Sequence, residues 1–107
     1  MDTVQLLAAI LDDLTEEVVF VDMEHVVRYM NQAARTHYAQ AGDLVGHSIF
    51  ECHSGSSVAR IKEILGQLQS GREQVLYSAN SERKVYMRAV RDHRGTMIGY
   101  YERRTPP

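Results

Sequence analysis

The pattern of this chain predicts an α+β domain, with helices laid over one face of an antiparallel sheet. Two observations carry that prediction. Runs with the two-residue alternation of β-strands open at Val18 and return over residues 73–103, while segments of helical period precede and separate them. Turn-forming clusters fall between these runs, among them Gln40-Ala41-Gly42-Asp43, Ser70-Gly71, Asn80-Ser81-Glu82-Arg83 and Asp92-His93-Arg94-Gly95, so breaks and periods agree. At 107 residues the chain holds one domain around one core.

Residues 3–14 read as an amphipathic helix with Thr3 as candidate N-cap. Val4, Leu7, Leu11 and Leu14 alternate at the three-and-four spacing of a heptad seam, and Ile10 widens the stripe. Such a stripe packs either on its own domain or on the same helix of a second copy. Two heptads are too short to pair without help from the domain.

In the first strand Val18, Phe20 and Asp22 point one way and Val19 and Val21 the other, so apolar side chains on both faces predict a central strand. After the break at Asp22-Met23-Glu24, residues 25–30 form its partner with Val26, Val27 and Tyr29. Asn31 reads as the N-cap of a helix over 32–38 rather than as a ligand contact. Residues 44–55 show no period, and Gly46 there permits a backbone geometry that a Cβ resists. Ser56 or Ser57 would cap a helix over 58–69, with Val58, Ile61, Ile64, Leu65 and Leu68 on one face and Gly71 past its end. Three strands follow at 73–79, 84–91 and 96–103. On the second, Val85, Met87 and Ala89 share a face opposite Tyr86, Arg88 and Val90. Thr105-Pro106-Pro107 reads as a tail or a cut linker.

Composition excludes several classes. With 44% apolar and 24% charged residues and a net charge of −2, no basic field favours nucleic acid. No run reaches the roughly 20 apolar residues of a membrane span, and acidic Asp2 stands where a signal peptide has its basic region. The single cysteine, Cys52, leaves no internal disulfide framework and points to a reducing compartment, the cytoplasm.

The order of helix, two strands, short helices, a longer helix and a three-stranded meander lets distant strands complete one five-stranded sheet. That order resembles the PAS domain family. The likeness rests on the EVVFVD strand at 17–22, on Tyr29-Met30-Asn31-Gln32-Ala33-Ala34, on Leu44-Val45-Gly46, and on the hairpin Asp92-His93-Arg94-Gly95-Thr96-Met97-Ile98-Gly99, together spanning residues 11–103. A narrower likeness joins Gly46-His47-Ser48-Ile49-Phe50-Glu51-Cys52-His53 and Ser57 to a subgroup with a G..v..CHPP.S element, whose prolines are replaced here by Ser54 and Gly55. The resemblance implies a sensory or regulatory module, and some members of that subgroup are suspected of binding haem. It divides the chain into a helical N-terminal unit at 1–14, a sensor domain at 15–104 and a tail at 105–107.

Cys52-His53 is the most chemically distinctive pair. Neighbours rarely ligate one tetrahedral metal, and no CxxC or HxxxH partner stands elsewhere, so a structural zinc site is not indicated. Two readings remain. His53, or Cys52 in its place, is an axial ligand to haem iron, with Met87 or Met97 as a soft second donor. Alternatively His53 hydrogen-bonds at the start of the following helix and Cys52 packs as a small apolar residue. Nucleophilic catalysis is not expected, because adjacent side chains on extended backbone diverge and no orienting acid or oxyanion donor stands out. Nor does Cys52 sit in the family's flavin-adduct motif.

The expected function is therefore a non-enzymatic module that binds a small ligand or partner and relays the event through dimer packing. The seam Val4, Leu7, Leu11 and Leu14 would form the homodimer contact, and a partner protein or output domain would read it. The expected cleft wall comprises Phe20, Tyr29, Ile49, Phe50, Cys52, His53, Ile61, Leu65, Val75, Tyr77, Val85, Met87 and Met97, chosen by face alternation and by the resemblance. The alternatives are a haem sensor built on His53 and a ligand-free dimerisation or docking module.

Overall fold

The computed structural model describes residues 1–52 and 55–107, with the side chains of Ala41 and Cys52 outside that description. The chain runs α1 (Thr3–Asp13), β1 (Val19–Asp22), β2 (Val27–Met30), α2 (Gln32–His37), 3₁₀ turns at Ala39–Ala41 and Ile49–Cys52, α3 (Gly55–Gln69), β3 (Gln74–Ala79), β4 (Lys84–Arg91) and β5 (Met97–Thr105). One antiparallel sheet has the order β2-β1-β5-β4-β3, so the opening hairpin closes against the last strand. β1 is internal, as its two apolar faces predict.

The three hairpin turns share one chemistry. Asp22 accepts from the amides of Glu24 and Val26, Asn80 from those of Glu82 and Arg83, and Asp92 from those of Arg94 and Thr96. Each is a short side chain that satisfies the turn amides locally. Gly95 adopts φ 83° in the last turn, a region that L side chains rarely enter.

Asn31 holds the domain entrance together. Its Oδ1 accepts from Ala34 N (3.1 Å) and from Val18 N (2.9 Å), while Nδ2 donates to Leu11 O and Glu16 O, both at 2.9 Å. A neutral amide can make these four bonds, two as acceptor and two as donor, and it is fully buried. The predicted N-cap is thus correct, and the same side chain also fastens the end of α1 and the entry to β1. Asp12 completes the dock: its Oδ1 accepts from Gln32 N and from the Tyr29 hydroxyl.

Several boundaries differ from expectation, three of them with a physical cause that bears on the fold. Asp2, not Thr3, caps α1, because Asp2 and Gln5 each bond the other's backbone amide. α3 starts at Gly55, so Ser56 and Ser57 lie inside its first turn rather than at its cap. β5 continues through Arg104 and Thr105, which pair with Val85 and Lys84, and only then do the prolines stop the ladder.

The core lies between the sheet and α3, with Ile61, Ile64, Leu65 and Leu68 against Val75, Met87 and Tyr100. Arg91 Nη2 donates to Leu68 O at 2.8 Å and ties the end of α3 to β4. Beyond it Gly71, at φ 121°, and Arg72 turn their amides back to Leu68 O and Gln67 O. Gly99 has no room for a side chain: an added Cβ would sit 2.3 Å from Val21 O and 2.5 Å from Phe20 Cζ. Among the described residues, no helix is long and apolar enough to cross a membrane.

Candidate ligand cavity and outer-face groove

The segment without period becomes a wall because its backbone pairs with β2. Gly46 N donates to Val27 O, Val27 N to His47 O and Ile49 N to His25 O, and Val26 and Ser48 form an isolated bridge. Gly46 adopts φ 91° to make the first of these turns. The segment is thereby held across the helix-covered face and encloses a cavity of about 310 Å³.

Apolar side chains form most of that cavity: Val19, Val21 and Val27 from the first hairpin, Leu44 and Ile49 from the wall, Ile61 from α3 and Met87 from β4. Tyr38, His47, Ser48, Tyr100 and Glu102 supply its polar points. The Tyr100 hydroxyl lies 3.2 Å from His25 Nδ1, and His25 packs its ring 4.7 Å from that of Phe50. Burial first, then the negative charges of Asp22 and Glu102, push the Tyr100 phenol up, so it stays neutral. Burial also raises Tyr38, with Glu102 adding to it.

Beside the cavity, Arg104 is largely buried and joins three parts of the fold. It pairs with Glu17, in the link between α1 and β1, and donates through Nη2 to the Tyr38 hydroxyl at 2.9 Å. Glu102 Oε2 stands 3.6 Å away, an ion-pair distance without a hydrogen bond. Burial works against the guanidinium charge, but Tyr38, Glu17 and Glu102 outweigh it and hold the Arg104 pKa above its ordinary value. His37 Nδ1 lies 3.0 Å from Glu17 Oε1 without hydrogen-bond alignment, so that contact is an ion pair only when the imidazole is protonated.

Of the expected cleft residues, Ile49, Ile61 and Met87 line the cavity. Leu65, Val75 and Val85 are buried, and Phe50, Tyr77 and Met97 pack partly buried against the core. Phe20 and Tyr29 are on the other face of the sheet, which is a correction of the expected wall. They line a groove of about 460 Å³ with Leu11, Leu14, Val18, Val90 and Tyr101. Val19 and Val21 take the cavity side because the helices descend on their face. Residue composition cannot disclose that choice when both faces are apolar. His53 and the Cys52 side chain lie outside the described residues. The expectations of an axial ligand and of a buried thiol rest there.

Among the described residues that line the cavity, His47 is the imidazole. The cavity is near the low end of the roughly 300–1,000 Å³ of ligand sites. His47 at its rim is 61% exposed and faces Glu51. No group of three or more metal-ligating side chains is found among the described residues.

On α1, Leu11 turns toward the groove, while Val4, Leu7, Ile10 and Leu14 stand 76%, 54%, 53% and 44% exposed. An apolar stripe and an apolar groove therefore adjoin on the outer face.

The family model described as PAS domain matches residues 7–103. Among solved structures, a C-terminal domain from Streptococcus mutans is 27% identical, with a TM-score of 0.77 over 96% of this chain and 84% of that one. A PAS domain from Colwellia psychrerythraea is 11% identical, with a TM-score of 0.71 over 99% and 98% of the two chains. The Aer2 receptor of Vibrio cholerae, described as a dual PAS-heme oxygen sensor, is 22% identical, with a TM-score of 0.61 over 86% and 94%. No curated protein matches the chain.

Proposed function

The chain belongs to the PAS-domain family, and from that membership we propose that it is a sensory module whose cavity takes a small, largely apolar ligand. PAS domains are typically modules of sensing and signal transduction and are in general non-catalytic. The observation that carries the reading is the cavity itself, with seven aliphatic or thioether side chains and a few convergent polar groups.

Binding is relayed toward α1. Glu102 faces the cavity, Arg104 sits next to Glu102, and Glu17 joins Arg104 to the segment leading from α1. A ligand that displaces Glu102 changes the balance of charges around Arg104 and so the seating of Glu17 and of α1. The relay works only if the ligand prefers one seating over the other. The exposed stripe of Val4, Leu7, Ile10 and Leu14 and the adjoining groove then take the same surfaces of a second chain. A partner protein or an output domain reads the altered dimer.

Native mass spectrometry of the protein purified from its source tests this. The expected spectrum is a dimer carrying a bound mass below that of haem. A ligand-free monomer at micromolar concentration contradicts both halves. A haem mass, with a Soret band that His53→Ala abolishes, replaces this reading with the His53 haem sensor.

A further inference from the structure

The sheet face under the cavity is apolar along its cross-strand row except at one point. Val19, Met87 and Val75 are all aliphatic or thioether, and Met87 pairs directly with Glu102 on the central strand β5. The Glu102 side chain keeps 32% of its surface exposed, so water meets part of this charge at the cavity wall. Arg104 gives its hydrogen bonds to Glu17 and Tyr38, and Glu102 accepts none among the described residues. Two carboxylates thus share one guanidinium, and a negative charge is left at the cavity wall. Tyr38 and Tyr100 add no positive charge, since both phenols are neutral.

We infer that the cavity selects a ligand with a compact apolar body and a protonated amine, whose N–H groups bond Glu102 while the body packs on Val21, Val27, Ile61 and Met87. This rests on the cavity reading proposed above. A cation takes the place of the water at Glu102, whose oxygens Arg104 does not hydrogen-bond, and charge-assisted N–H···O bonds are the stronger kind. An anion meets Glu102 as a like charge. A neutral hydroxyl gains only an ordinary hydrogen bond.

Three probes of one shape separate these cases at neutral pH: cyclohexylmethylamine, cyclohexylmethanol and cyclohexanecarboxylate. Binding is read from amide chemical shifts of Val21, Met87 and Tyr100 in ¹H–¹⁵N spectra. The amine is expected to bind about tenfold or more tighter than the alcohol, with the carboxylate weakest. In Glu102→Gln the amine falls to the alcohol's affinity and the alcohol is unchanged. Equal binding of amine and alcohol overturns the charge selectivity and leaves the cavity reading standing. An amine preference that survives Glu102→Gln overturns the assignment to Glu102. If no probe moves the cavity amides, the cavity reading falls, and this inference with it. Should Glu102→Gln lose its dispersed spectrum, the ranking on the unsubstituted protein still decides the selectivity.

Discussion

The two faces of the sheet differ in enclosure more than in composition. On one side, α3 and the 44–49 segment close over Val19, Val21, Val27 and Met87, leaving about 310 Å³ of apolar space with Glu102 at its wall. On the other, Phe20, Tyr29, Val90 and Tyr101 are covered only in part by the end of α1, and the groove merges with exposed helix. An enclosed space suits a small molecule that can be desolvated on all sides, whereas an open strip suits another protein surface. Phe20 and Val19 are adjacent residues, yet the pleat sends one to the outer groove and the other to the cavity.

Asn31 ties α1, the entry to β1 and α2 together, and the largest effect is expected there. Asn31→Asp sets a buried carboxylate against Leu11 O and Glu16 O in place of an amide that donates to both. A loss of about 3–5 kcal/mol is expected in urea denaturation; a loss below about 1 kcal/mol would mean that α1 and α2 do not depend on this side chain. Next is Gly99→Ala, which drives a methyl into Val21 O and the Phe20 ring. It should cost about 1–3 kcal/mol, and a neutral outcome would show that the Phe20 side of the sheet yields freely.

A smaller effect separates the faces functionally. Leu7→Glu changes an exposed position, so the stability of the single chain should move by less than about 0.5 kcal/mol. The dissociation constant of the proposed dimer should rise about tenfold or more, by sedimentation, through burial of a charge at the proposed seam. An unchanged constant would remove α1 from the interface.

The smallest effect concerns pH. Burial alone would raise the Asp22 carboxyl, but the Arg28 hydrogen bond and the amides of Val26 and Glu24 outweigh it and lower its pKa. A lowered carboxyl stabilises the fold above its unfolded pKa, about 4, and that contribution disappears as pH falls through the folded value. The gap in urea midpoint between the unsubstituted protein and Asp22→Asn should therefore be present at pH 6 and close toward pH 2.5. A constant gap would mean that the Asp22 charge contributes nothing.

Local chemistry made much of the fold legible in the sequence. The Asn31 cap, the Asp92 turn, Gly71 and the full extent of β4 all depend on neighbours within a few residues. The candidate site was less legible because its determinants are distant. Arg104 and Glu17 lie 87 residues apart, and nothing local marks either as a partner. Residues 46–49 lack a period because they meet the edge of the first hairpin through three backbone hydrogen bonds and an isolated bridge rather than as a regular strand. Alternation places Phe20 and Tyr29 on the cavity wall as readily as Val19, because their face is as apolar as the other. The signal that favours Val19 is the helical layer above it, which alternation alone does not encode.

The proposed link between the faces has a direct test. Val19→Phe places a ring in the cavity next to Glu102 and should cost less than about 1.5 kcal/mol, since space is already there. It fills the ligand's place while leaving the outer face untouched. Sedimentation equilibrium should then show a dimer dissociation constant shifted about fivefold or more from that of the ligand-stripped protein. A folded Val19→Phe protein with an unchanged constant would contradict the relay from cavity to α1.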